Sequence, residues 1–246
     1  MPFGLPLQQI LRPCIGVWCA VLALWCSASA PAAQQQLELH LLLAFDVSAS
    51  VNDVEFDLQR AGTAAAFRSG AVTQAITDAP GGIAVSIIQW SSITQQALGL
   101  DWVHLSNTAD ALAYADQIDA MPRRLPGGGT MIHAGLAFAG RQLEGAPGQA
   151  RRQVIDLSGN GQADDEDRLL KTRDRLLSQG VVINGLAIEE DLDDLTQYFY
   201  SYVIGGTGAF VITADDFDDF QKAMEIKLHR EIAGPTLGSA KARRPG

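Results

Sequence analysis

Residues 41–50 read Leu41-Leu42-Leu43-Ala44-Phe45-Asp46-Val47-Ser48-Ala49-Ser50, a continuous apolar run that ends in one carboxylate and two hydroxyls. Apolar runs of strand length belong to sheets covered on both faces, because each face must meet a layer of apolar side chains. In such sheets ligands gather beyond the carboxyl ends of the strands. Asp46, Ser48 and Ser50 fall there. Alternate residues of an extended segment project the same way, so the D-x-S-x-S spacing can converge three oxygens on one point, a donor set that suits a small hard cation.

Working outward, Asn52 with Glu55 three residues on forms a capping-box pattern, and Val54, Leu58, Ala61 and Ala65 give the stripe of a helix expected to reach residue 76. Its positive end would face the polar strand end, which favours an anionic ligand there. Pro80-Gly81-Gly82 breaks the chain before a second strand at 83–90, and a third follows at 96–103. The short connection between them predicts an antiparallel hairpin at one sheet edge. Further helices are expected at 107–120, with Leu112 and Ile118 inward, and at 131–143. Strands are expected at 153–157, 181–188 and 209–212, alternating with helices that follow the acidic runs 164–167 and 189–194, and a last helix at 216–231. The run Asp164-Asp165-Glu166-Asp167, backed by Leu169, Leu170, Leu176 and Leu177, suits a helix N-terminus without any metal. The whole is an α/β fold: a doubly wound, mostly parallel sheet with one antiparallel edge strand and helices on both faces.

The Asp46–Ser50 segment resembles the first segment of the metal-ion-dependent adhesion site of von Willebrand factor type A domains. Gly127-Gly128-Gly129-Thr130 is similar to the glycine-rich second segment, which supplies a threonine. Val154-Ile155-Asp156-Leu157-Ser158-Gly159-Asn160-Gly161 is similar to the third, with Asn160-Gly161 where that family usually has Asp-Gly. Together with residues 203–211 these segments resemble an exported bacterial branch of unknown function, over about residues 37–233. The resemblance implies that Ser48, Ser50 and Thr130 coordinate Mg2+, or Mn2+ or Ca2+, and that Asp46 and Asn160 contribute directly or through water. Three neutral hydroxyls leave much of the ion's charge uncompensated, so it seeks an anion. The implied partner is a protein with an exposed carboxylate. Asn in place of Asp at 160 weakens resting metal affinity while sharpening the appetite of a bound ion. Asp156, earlier on its strand, reads as a core or outer residue, and Arg123 and Arg124 read as a basic rim.

At 47% hydrophobic and 19% charged residues over 246 positions, the chain has the composition of one globular domain. Arg12 precedes an apolar stretch at 14–26, too short to span a bilayer comfortably, and small residues follow, so residues 1–32 read as a secretory signal, the alternative being an uncleaved anchor lengthened upstream by Leu5 and Ile10. That assigns a periplasmic or secreted location, with no membrane contact after cleavage. All three cysteines lie in that segment, and residues 234–246 read as a flexible tail. Removing the one charge of Arg12 takes the formal net charge from −10 to −11, which argues against nucleic-acid partners.

The alternative to a binding module is a phosphatase-like hydrolase with Asp46 as nucleophile. Ser48, however, stands where haloacid-dehalogenase phosphatases place their general acid. Gly127–Thr130 lacks the lysine of a phosphate loop, and there is no nucleophile elbow. Mass analysis of the secreted protein is expected to find a mature N-terminus between Pro31 and Gln34; an intact Met1 would contradict the signal.

Overall fold

The computed structural model describes residues 36–190 and 192–234. The expected signal, Asp191 and tail residues 235–246 lie outside the described residues. β1 (Leu37–Asp46) is flanked in parallel by β2 (Ile83–Trp90) and β4 (Ala150–Gly159). β3 (Gln96–Leu105) pairs antiparallel with β2 at one edge, while β5 (Val182–Ile188) and β6 (Val211–Ala214) extend the parallel side, in the order β3-β2-β1-β4-β5-β6. This is the expected doubly wound sheet with one antiparallel edge strand.

Side chains alternate across β1, so that Leu39, Leu41, Leu43 and Phe45 enter one core and Leu42 and Ala44 the other. The first core is roofed by α1 (Asp53–Arg68), α2 (Gly70–Asp78), α3 (Thr108–Asp119) and α7 (Phe220–Ala233). The second lies under α4 (Ile132–Glu144), α5 (Glu166–Ser178) and the four-residue α6 (Leu195–Tyr198), which continues as a π turn, Phe199–Val203. Among the described residues no helix is long and apolar enough to cross a membrane.

Several sequence expectations are corrected. The face that α1 buries is Phe56, Gln59, Gly62, Thr63, Ala66 and Phe67, whereas Val54 is 69% exposed. Gln59 goes inward because polar partners await it: its Nε2 donates to the Asp46 carbonyl and its Oε1 accepts from Ser158 Oγ. Gly62 is needed for close approach, since a Cβ there would stand 2.9 Å from the Phe220 ring. The single helix expected to residue 76 is broken at Ser69, which is extended at φ −66°, ψ 147° and whose hydroxyl caps α2 by accepting the Val72 N–H. On α3, Leu112 is exposed and Tyr114 is inward instead, its ring packed edge-on against Phe67 at 5.2 Å. The helix expected after the acidic run 189–194 is α6, continued by its π turn to Val203, while β6 starts two residues later than expected and α7 four.

Asp156 lies in the core, as its place on the strand implied. It faces α7, where Lys227 Nζ stands 2.6 Å from Asp156 Oδ1 and 2.7 Å from Glu231 Oε1. Asn184 Nδ2 also donates to Glu231 Oε1, at 2.9 Å. Two carboxylates share one ammonium away from water, so ionising both leaves a net buried charge. Burial first, and then the charge of Glu231, push the Asp156 carboxyl up to about 8. The folded protein therefore keeps a proton that the unfolded chain releases near about pH 4. The stability it contributes is complete below that pH and is lost as pH rises through about 8. Asp156→Asn is expected to flatten that part of the pH dependence in denaturant titrations. Lys227→Met, which strands Glu231 beside the protonated Asp156, is expected to lose about 3–5 kcal/mol near neutral pH.

Candidate functional site

The strand order reverses between β1 and β4, which leaves a crevice beyond their carboxyl ends. Asp46 ends β1, and Ser158 sits opposite Phe45 on β4. Asp46 is wholly buried; its Oδ1 accepts the Ser48 N–H at 2.7 Å, and among the described residues its Oδ2 has no hydrogen-bond partner. Gly159 leaves room for that oxygen, since a Cβ there would come within 3.0 Å of it. Burial pushes the Asp46 carboxyl up to about 6, against the opposing pull of the Ser48 N–H and hydroxyl, the Arg123 charge and the nearby Asn160 N–H.

The loops then close over this carboxylate. Ser48 Oγ lies 3.1 Å from Ser50 Oγ, Ser50 Oγ donates to Asn160 Oδ1 at 2.7 Å, and Asn160 Nδ2 returns a bond to the Ser50 carbonyl at 3.4 Å. The first and third segments are thereby joined. The glycine-rich segment docks on the first, with Ala49 N–H donating to the Gly128 carbonyl at 2.8 Å. A side chain at Gly128 would collide with oxygens of Ser91, Ser92 and Gln95, and Ser92 Oγ accepts the Gly129 N–H at 2.8 Å. Thr130 stands against the third segment, its Oγ1 3.5 Å from where a Gly161 Cβ would be. Asp46, Ser48, Ser50, Thr130 and Asn160 thus meet at one edge of the sheet.

The two arginines differ. Arg123 is turned to structural use: it donates to the Val47 and Leu125 carbonyls and to Asp53, and lies over the Phe56 ring. Arg124 is exposed, with its backbone N–H held by Gln89 Oε1 at 2.7 Å. Both line an open groove of about 680 Å3 beside the site, between Asn52 and Gly127.

Sequence reasoning missed Gln59, Ser92, Tyr198 and Asp164. Tyr198 accepts the Ala163 N–H at 3.1 Å, and Asp164 accepts the Thr130 N–H at 2.8 Å. The one available signal was Ser91-Ser92, a polar end to an apolar strand, as on β1.

Hydroxyls, an amide carbonyl and one carboxylate make a hard, oxygen-only donor set that is nearly neutral. Among the described residues no group of three or more His, Cys, Asp or Glu side chains could hold a metal ion. Neighbouring ligands on an octahedral Mg2+ at 2.0–2.1 Å stand about 2.9 Å apart. The spacings of 3.1 and 2.7 Å bracket that value. The residues present fit a small divalent ion. With chelator present, Asp46→Asn removes a buried charge while keeping the acceptor for Ser48. Denaturant titration is expected to show a gain of about 1–2 kcal/mol at pH 8 that fades as pH falls from about 6 to about 4, below which wild-type Asp46 is neutral in both states.

Solved structures show the same fold. The chain is similar to proximal thread matrix protein 1 from the mussel byssus, solved with a zinc-occupied metal-ion-dependent adhesion site, at 18% identity and a TM-score of 0.59, covering 82% of this chain and 47% of that one. It is similar to a von Willebrand factor type A protein from Catenulispora acidiphila at 15% identity and TM-score 0.56, over 80% and 43% of the two chains. The pilus adhesin SpaC from Lactobacillus rhamnosus GG matches at 13% identity and TM-score 0.58, over 80% and 31%. The matched region spans less than half of each of these proteins, and the likeness carries the fold alone. No curated protein matches in sequence. Residues 36–236 match the family described as protein of unknown function (DUF1194), to which this chain belongs.

Proposed function

We propose that this protein is an exported binding module of the von Willebrand A type, whose Ser48, Ser50 and Thr130 hold a divalent ion that an acidic group of a protein partner completes. Asp46 and Asn160 contribute directly or through water. The observation that carries this reading is the buried Asp46 Oδ2, which lacks a hydrogen-bond partner among the described residues beneath hydroxyls bonded to one another. A carboxylate oxygen left so costs free energy in the empty protein, and a cation above it relieves that cost.

Such an ion would polarise a carboxylate oxygen of the partner without any bond being broken. The chain's own part is to hold neutral oxygens in place and keep competing carboxylates away. Support by analogy of fold comes from the zinc-bearing mussel protein and the pilus adhesin. A hydrolase using Asp46 as nucleophile is the weaker reading, because Asp46 is wholly buried and Ser48 occupies the place of the acid that such chemistry needs.

Calorimetry with MgCl2 and MnCl2 is expected to show binding to wild type and a loss of about tenfold or more in Ser48→Ala and Thr130→Ala. Capture from exported-protein extracts is expected to depend on added magnesium, with the partner's carboxylate contributing about 2–4 kcal/mol. Partner binding that survives chelator and both substitutions in a folded protein would overturn the reading.

A further inference from the structure

Asp164 makes a two-way clasp with Thr130. Thr130 N–H donates to Asp164 Oδ2 at 2.8 Å, and Asp164 N–H donates to the Thr130 carbonyl at 3.1 Å. Gly129 permits the approach: a Cβ there would stand 2.6 Å from the same carboxylate oxygen. The loop carrying Asp164 begins at Asn160 and is braced from behind by Tyr198, whose hydroxyl accepts the Ala163 N–H. The adjoining helix does not need this acid. Asp165 caps α5 by accepting the Arg168 N–H at 3.0 Å, and Glu166 and Asp167 serve its first turn.

We propose that Asp164 is a positioning residue of the metal site: it fixes the backbone of Thr130 so that the hydroxyl stays beside Gly161, and from just outside the ligand set it supplies negative charge that Asn160 does not. This rests on the reading that the hydroxyl cluster holds a divalent ion. Ser48, Ser50, Thr130 and Asn160 are neutral, so a dication over Asp46 keeps an excess of positive charge. A carboxylate on the backbone of one ligand stabilises that ion without entering its shell. Outer partners of metal ligands are typically worth 10–100-fold in affinity. Asp164 is exposed, so screening places its effect at the lower end or just below.

The two roles separate by substitution. Asp164→Asn keeps an acceptor for Thr130 and removes the charge; Asp164→Ala removes both. Asp165→Asn removes the same charge one residue away, and Asn caps a helix as well as Asp does. In calorimetry of the full chain with MgCl2 and with MnCl2, Asp164→Asn is expected to weaken binding about three- to tenfold and Asp164→Ala by more. Asn160→Asp added to Asp164→Asn is expected to restore wild-type affinity, while Asp165→Asn stays within about twofold of it. Asp164→Asn binding like wild type, Asp165→Asn losing as much as Asp164→Asn, or no rescue by Asn160→Asp would each overturn the inference while leaving the metal site standing. A folded wild type that binds neither ion overturns the metal reading and this inference together.

Discussion

β1 is paired along both edges and covered on both faces, so beyond His40, whose ring nitrogen meets the Pro147 carbonyl, the place where it can carry a polar group is its carboxyl end. From Leu39 to Asp46 the strand is buried, with β2 in register on one side and β4 on the other. A carboxylate midway along it would face a core with no partner. At position 46 the chain leaves the sheet, and backbone groups become available as donors. The Asp46 carbonyl is taken by Gln59, its Oδ1 by the Ser48 N–H, and the next amide, that of Val47, reaches the Trp90 carbonyl. The floor of the site is therefore set by strand pairing, and the loops are built upon it.

β4 carries this constraint across the molecule. Its Asp156 is anchored to Lys227 in α7, and four residues later the chain delivers Asn160 to the loop cluster. Ser158, between them, bonds Gln59 of α1. Arg152, at the other end of the strand, holds the Glu231 and Ile232 carbonyls in the last turn of α7. One strand is thus pinned to two helices on one face of the sheet before it reaches the site, which places Asn160 by packing and hydrogen bonding and not by its loop alone.

The fold was legible because burial on both faces leaves long apolar runs, and β2 was read to its residue bounds, Ile83–Trp90. That the segments carrying Asp46, Ser48 and Ser50, Thr130, and Asn160 lie at one end of the sheet was legible from two strand ends and a glycine-rich loop that opens a helix. What the sequence hid were residues whose role depends on tertiary partners. Gln59 looks like a surface residue until Ser158 and the Asp46 carbonyl are placed beside it. Hydrophobic spacing accordingly put the wrong face of α1 inward. The acids Asp164 and Asp165 are indistinguishable in sequence, yet one grips Thr130 and the other caps α5. Leu112 was misplaced because Tyr114 gains an aromatic contact with Phe67 that periodicity does not register.

Asp46 is the clearest case of a residue at odds with its surroundings. An amide or hydroxyl acceptor would serve the Ser48 N–H as well and would spare the chain a buried charge. Its carboxyl is displaced to about 6 by burial, and Arg123, which could have been a close counter-ion, spends its hydrogen bonds on the Val47 and Leu125 carbonyls and on Asp53. The arginine lowers the cost through space without a direct bond to the carboxylate. Gly159 meanwhile leaves the neighbourhood of the unpartnered oxygen open. The protein thus surrounds a costly negative group with neutral oxygens at a sheet edge, and the charge of the proposed divalent cation would offset that cost.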